Sequence, residues 1–154
     1  MPVKKLKEYL DQNGVKYEML KHPRAFTAQQ VASSAHIKGK ELAKTVIVKV
    51  NGKLSMAVLP SSYNVDLKLL KKVTGAKSIE LASENDFKDM FPECEVGAMP
   101  PFGNLYGLDV YVAPSLAEDE HIAFNAGTHT ELIQLSYSDF ERLVKPIVLA
   151  FSTR

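Results

Sequence analysis

A lysine that opens an apolar strand is the residue of greatest chemical interest in this sequence. Ala43-Lys-Thr-Val-Ile-Val-Lys-Val50 has strand composition, and side chains 44, 46, 48 and 50 share one of its faces. The rest of that face is Val46, Val48 and Val50, so Lys44 sets an ammonium at the end of an apolar row. Two readings stay open: a stem that snorkels to solvent, or a fixed cation in a partly dry pocket that holds a phosphate or polarises a carbonyl. A second feature is Gly97-Ala-Met-Pro-Pro-Phe-Gly103. Glycine lets a ligand approach the backbone, and the paired prolines fix φ and remove two donors. The amides of 97–99 are left to converge on an oxyanion or carbonyl; the alternative is a rigid connection between a helix and a strand. The third feature, Phe124-Asn-Ala-Gly-Thr-His129, is a turn after an apolar strand, and a plain hairpin explains it as well.

These residues need elements to position them. Val3, Leu6 and Leu10 are at helical spacing ahead of Gly14, which predicts a helix over 2–13. Thr27-Ala-Gln-Gln30 and Ser138-Asp-Phe-Glu141 have the form of capping boxes, and Ser83-Glu-Asn-Asp86 is a weaker variant. A further helix is expected from Asp66, with Leu67, Leu70 and Val73 inward and Lys68, Lys71 and Lys72 outward. Asn51-Gly52 between two apolar runs is a hairpin signal. Further strands are expected near 77–80, 109–113, 121–125, 130–135 and 147–150. Prominent hairpins among interspersed helices favour a mixed, largely antiparallel sheet over a doubly wound parallel one. Residues 91–108, rich in proline and glycine, read as an ordered functional loop.

The 154 residues, 45% hydrophobic and 24% charged, suit one domain over 1–154. A single cysteine, Cys94, excludes an intramolecular disulfide and any multi-cysteine metal site. A catalytic thiol needs a base partner, which the sequence does not place beside Cys94, so packing or surface is its simpler role. His22, His36, His121 and His129 show no metal-ligand spacing, and no cofactor is expected. His22 and His129 are pocket candidates by their places in the chain. The start has no apolar run after its charges, and no stretch is long enough to span a bilayer. The expectation is a soluble cytoplasmic protein without a membrane partner. The net charge of +1 conceals a division. Residues 1–50 carry ten basic and four acidic side chains; 51–154 carry nine and fourteen. The basic half is either a polyanion face, with Lys38 and Lys40 its leading candidates, or scattered solvated lysines.

Taken together, Ala43-Lys-Thr-Val-Ile-Val-Lys49, the Gly97-x-x-x-Pro101 loop and the Asn125-Ala-Gly127 turn resemble the YbaK/ProX family in order and approximate spacing. The resemblance runs from His22-Pro23 to the last strand. The family consists of aminoacyl-tRNA deacylases similar to the editing domain inserted in bacterial prolyl-tRNA synthetases. It implies an α/β fold with a curved, barrel-like mixed sheet ringed by helices. It also implies hydrolysis of the ester joining a wrong amino acid to tRNA, with the charged 3′ end of tRNA as partner and a synthetase as a second. Lys44 and Gly97 match the family's lysine and glycine loop and become the expected catalytic positions. Thr45, Ala98, Met99, Pro101, Phe102, Asn125, Gly127, His22 and His129 become the expected substrate contacts, with Met99 and Phe102 as pocket walls. The branch that removes alanine has asparagine after the lysine and a His-Pro segment at the turn. Here Thr45 and Asn125-Ala-Gly127 stand there instead, closer to the branch acting on seryl or threonyl esters. From other classes, a non-catalytic tRNA- or synthetase-binding module of the same fold and a hydrolase of another small activated ester remain alternatives.

Overall fold

The computed structural model describes residues 4–21, 41–87, 89–91, 94–95, 97 and 98–153. The chain starts with helix α1 (Lys4–Gln12), which buries Leu6 and Leu10, as their spacing requires. Strands β2 (Ala43–Val50) and β3 (Lys53–Pro60) form the expected hairpin. Asn51 and Gly52 take φ of 53° and 82°, the left-handed pair that a two-residue turn demands. From this hairpin grows a mixed sheet. On one side β2 pairs antiparallel with β5 (Ile79–Leu81). On the other, β3 pairs parallel with β6 (Asp109–Val112), and β6 with β9 (Ile147–Val148).

A second sheet is wholly antiparallel, with β8 (Glu131–Ser136) between β1 (Tyr17–Lys21) and β7 (His121–Asn125). A parallel bridge between Leu42 and Ala123 joins its edge to the start of β2. The joined sheets form the expected mixed, helix-covered architecture without closing a complete barrel. A small clip of β4 (Asn64–Val65) and β10 (Ser152–Thr153) ties the C-terminal strand to the body.

The two faces of the larger sheet are buried separately. Ile47, Met56, Val58, Val110 and Val112 face the main core, with Phe124, Ile133, the leucines of α1 and Phe140 of the last helix. Val48, Ala57, Leu59 and Tyr111 form a second cluster with Phe151 and with Leu70 of helix α2 (Leu67–Thr74). Asp66 caps α2 by accepting the Leu69 N–H at 3.0 Å. Val73, expected inward, is 36% exposed, so the buried stripe narrows to Leu70 and partly buried Leu67.

The remaining helices are α3 (Glu84–Phe87), α4 (Pro114–Ala117) and α5 (Tyr137–Val144). At α3 the weaker box forms: Asp86 accepts from the Ser83 N–H at 2.7 Å. At α5 the expected box is displaced. The cap is Ser136, two residues earlier, which accepts the Asp139 N–H at 3.2 Å. Ser136-Tyr-Ser-Asp139 offers the same polar pair one register back, and pairing of β8 through Ser136 decides between the registers. The described residues of 91–108 include a 3₁₀ turn at Gly103–Tyr106. The Thr27 box, His22, Lys38 and Lys40 lie outside the described residues.

Candidate active site

Backbone pairing brings the three sequence motifs together. Paired residues of neighbouring strands share a face, so Lys44 lies with its partner Leu59 on the side of the second cluster, away from the main core. The isolated parallel bridge from Leu42 to Ala123 sets the start of β2 against β7, two residues before Lys44 on one strand and two before Asn125 on the other. Beyond Asn125 the chain turns at Gly127, whose φ of 97° needs glycine's freedom. The Gly127 N–H donates to the Ala98 carbonyl at 2.9 Å, and its carbonyl accepts from the Glu95 N–H at 2.7 Å. The glycine loop is thus zipped to the turn that follows β7.

Lys44 is half-buried, and among the described residues its ammonium has neither a hydrogen bond nor an ion pair. Burial holds its pKa below the ordinary lysine value. An uncompensated, partly desolvated cation is a costly feature for a structural residue, and it is strongly attracted to a phosphate or a developing oxyanion. Thr45 alternates to the opposite face, toward the side of Ala43 and Ile47.

Gly97 is exposed with φ of 83°, so its backbone lies open at the surface. A Cβ there would be 3.5 Å from His129 Cε1 and 3.8 Å from Nε2: the imidazole covers the side of Gly97 that a side chain would take. The expected run of three free amides is reduced to two. Ala98 donates to the Glu95 carbonyl at 3.1 Å, while the N–H groups of Gly97 and Met99 have no partner among the described residues.

The expected walls divide. Phe102 is wholly buried, 5.5 to 6.4 Å from the rings of Phe140, Phe124 and Tyr9. It anchors the loop from the core side. Met99 belongs to the same core with 5% exposure; Ala98 and Pro101 are also buried. Asn125 and His129 are half-buried at the turn, and Gly127 is buried. The inward anchoring of Phe102 was not legible, because an aromatic beside two prolines fits a pocket as well as a core.

Two positions were missed. Leu42 makes the seam between the start of β2 and β7, and one isolated bridge leaves no periodic signal. At Gly103 a Cβ would meet Val110 Cγ2 at 2.7 Å and the Leu108 carbonyl oxygen at 2.9 Å. That second glycine is required by packing. A groove of about 720 Å³, bounded by Lys16, Glu18, His121 and Asp139 among others, lies toward the opposite end of β7 and shares no residue with this site. Among the described residues no cluster suits a metal ion, and no helix is long and apolar enough to cross a membrane.

A curved α/β sheet that sets a lone lysine beside a glycine–proline loop defines a class of domain. The chain belongs to the aminoacyl-tRNA editing domain family, whose model matches residues 22–143. It is 31% identical over 75 residues to a proline–tRNA ligase of Bacillus mycoides (strain KBAB4), covering 49% of this chain and 13% of that protein. A proline–tRNA ligase of Bacillus cereus (strain G9842) is 28% identical over 93 residues, 60% of this chain and 16% of the ligase. The chain therefore spans only a small part of the length of these curated relatives. Among solved structures, the hypothetical protein APE2540 superposes with a TM-score of 0.85 at 20% identity, covering 97% of this chain and 100% of the other. A protein provisionally described as a trans-editing enzyme for prolyl tRNA synthetase gives 0.83 at 15% identity, covering 98% and 96%. At such identities the superpositions establish the fold.

Proposed function

We propose that the protein hydrolyses the ester of mischarged aminoacyl-tRNA in trans, releasing free amino acid and intact tRNA. The observation that carries this reading is Lys44: half-buried, without a counter-ion among the described residues, and two residues along β2 from the bridge to β7, whose following turn holds the glycine loop. An aminoacyl ester is already activated, so a positioned water and a stabilised oxyanion suffice. Water adds to the carbonyl carbon, the bond to the ribose oxygen breaks, and that oxygen leaves with a proton. In this reading Lys44 holds the terminal adenosine phosphate or the substrate carbonyl. The N–H groups of Gly97 and Met99, without a partner among the described residues, support the developing charge. Asn125, Gly127 and His129 line the far side, and the ribose hydroxyl of tRNA orients the water. Ala98, Met99 and Pro101 set the depth of the pocket, which admits small amino acids by size. His22 completes the proposed contacts; Thr45, on the opposite face of β2 from Lys44, supports the strand from behind, and a synthetase is a proposed second partner.

The test is incubation with a panel of aminoacyl-tRNAs, following release of each amino acid, with Lys44→Ala run in parallel. Release of a small amino acid by the parent and its loss in a folded Lys44→Ala variant support the reading. Tight tRNA binding without release from any ester would leave a binding module and overturn the hydrolase.

A further inference from the structure

We propose that the outward face of helix α2, built from Lys68, Lys71 and Lys72, grips the phosphate backbone of the tRNA acceptor arm. The inference rests on the tRNA substrate proposed above and names the surface that holds it. The helix reads Leu-Lys-Leu-Leu-Lys-Lys-Val-Thr, with three cations and no acid. It does so in the part of the chain where acids outnumber bases fourteen to nine. Lys68, Lys71 and Lys72 fall at i, i+3 and i+4, which places them on one helix face. All three are exposed, and none has an ion pair among the described residues; Lys77 just beyond is in the same state. Lys7, Lys16 and Lys145 are also without an ion pair among the described residues, so what distinguishes α2 is three such lysines on one helix face; four other cations are paired. Lys4 pairs with Glu8, Lys49 with Asp86 and Glu80, Lys53 with Asp109, and Arg142 with Asp139.

Placement gives this stripe a direction. The Ser61 N–H donates to the Leu42 carbonyl at 2.8 Å, so the chain leaving β3 passes the seam beside Lys44 before α2 begins. Leu70 then packs on the cluster formed by Val48, Ala57 and Leu59, the sheet face that Lys44 shares. Eight helical residues run about 12 Å, so the cations lead away from the candidate site along the same side of the molecule. A 3′ end bound at Lys44 brings its preceding phosphates along that path. Unpaired lysines in a row match a polyanion and repel a cationic partner. Their sequence-independent attraction suits a surface that must accept the backbone while the pocket chooses the amino acid.

The probe is uncharged tRNA, whose binding needs no hydrolysis, so the surface is tested even if the proposed reaction fails. Dissociation constants are measured from 50 to 200 mM salt for the parent, a Lys68→Gln/Lys71→Gln/Lys72→Gln variant, and Lys4→Gln as a control on a paired lysine. Glutamine keeps helix propensity close to that of lysine, and circular dichroism checks the fold. The triple variant should bind roughly 10- to 100-fold more weakly at about 0.1 M salt, with the log–log salt slope reduced by about 2–3, near one for each lysine–phosphate pairing removed. Lys4→Gln should match the parent. An unchanged affinity and slope in the folded triple variant overturns the proposal, as does an equal loss in the Lys4→Gln control.

Discussion

In the proposed reaction Lys44 and Gly97 carry the chemistry, and each makes a separable prediction. Lys44→Ala removes a cation that has no described partner, so the fold should survive while deacylation falls about 100-fold or more. Parental rates in a folded variant would return the lysine to a solvated strand end. Lys44→Arg should not restore the rate, because a planar guanidinium aims its donors differently. Burial lowers the lysine's pKa, so a step that needs the ammonium should decline on the alkaline side earlier than an ordinary lysine would dictate. The two glycines of the loop should fail for different reasons. Gly97→Ala meets the His129 ring at an ordinary 3.5 Å, but φ of 83° strains an L residue by about 1–2 kcal/mol and moves the loop's amides. Activity should fall more than stability. Gly103→Ala drives a methyl to 2.7 Å from Val110 and 2.9 Å from a backbone carbonyl, an overpacking that costs about 1–3 kcal/mol. Thermal melts beside rates distinguish the two, and a Gly103→Ala protein that melts with the parent would refute the packing argument.

At the level of elements, the ion cluster that ties β5 and α3 to β2 sets an acid limit. The backbone N–H of Ser83 and then the Lys49 ammonium at 3.0 Å hold the Asp86 carboxyl down to about 2. A depressed carboxylate contributes stability above its unfolded pKa, about 3.9, and loses it as pH falls through the folded value. Melting temperature should therefore drop between about pH 4 and pH 2, and Asp86→Asn should flatten that part of the curve; an identical pH profile in the variant would remove the cluster from the account. Most elements were legible because each carries a local signal. The Asn51-Gly52 turn, the apolar row of β2 and the Asp66 cap all point to one conformation. The misses share a different cause. Strand β1 reads Tyr-Glu-Met-Leu-Lys, with no clean alternation of burial, and exists because β8 supplies its hydrogen bonds. The Ser136 cap and the seam at Leu42 are likewise decided by partners distant in sequence. The site's members were legible as motifs; their contact through Gly127 and Ala98 was not, since a backbone hydrogen bond leaves no mark on residue type.

Across the whole molecule, one buried ring links the loop to three distant elements. Phe102 meets Tyr9 of α1, Phe124 of β7 and Phe140 of α5, so the glycine loop is held by the main core while its open edge faces the candidate site. This division of labour explains how an irregular proline-rich segment keeps its amides fixed: Phe102 pins it from behind, and the Gly127 turn clasps it from the side. It also separates stability from selectivity. Phe102→Ala should cost about 3–5 kcal/mol, as for a fully buried aromatic ring, and lower Tm on the order of 10 °C for a chain of this length. The ranking of esters hydrolysed should stay that of the parent, because the ring is wholly buried among Tyr9, Phe124 and Phe140. Met99→Ala is the contrasting case. Its side chain is 5% exposed on the glycine loop, and in the proposed site its loss should widen the range of esters accepted as well as destabilise the fold. The measurement is hydrolysis of a panel of aminoacyl-tRNAs at a temperature where both variants remain folded. A changed ranking in Phe102→Ala, or an unchanged one in Met99→Ala, would show that the boundary between core and pocket lies elsewhere in the loop.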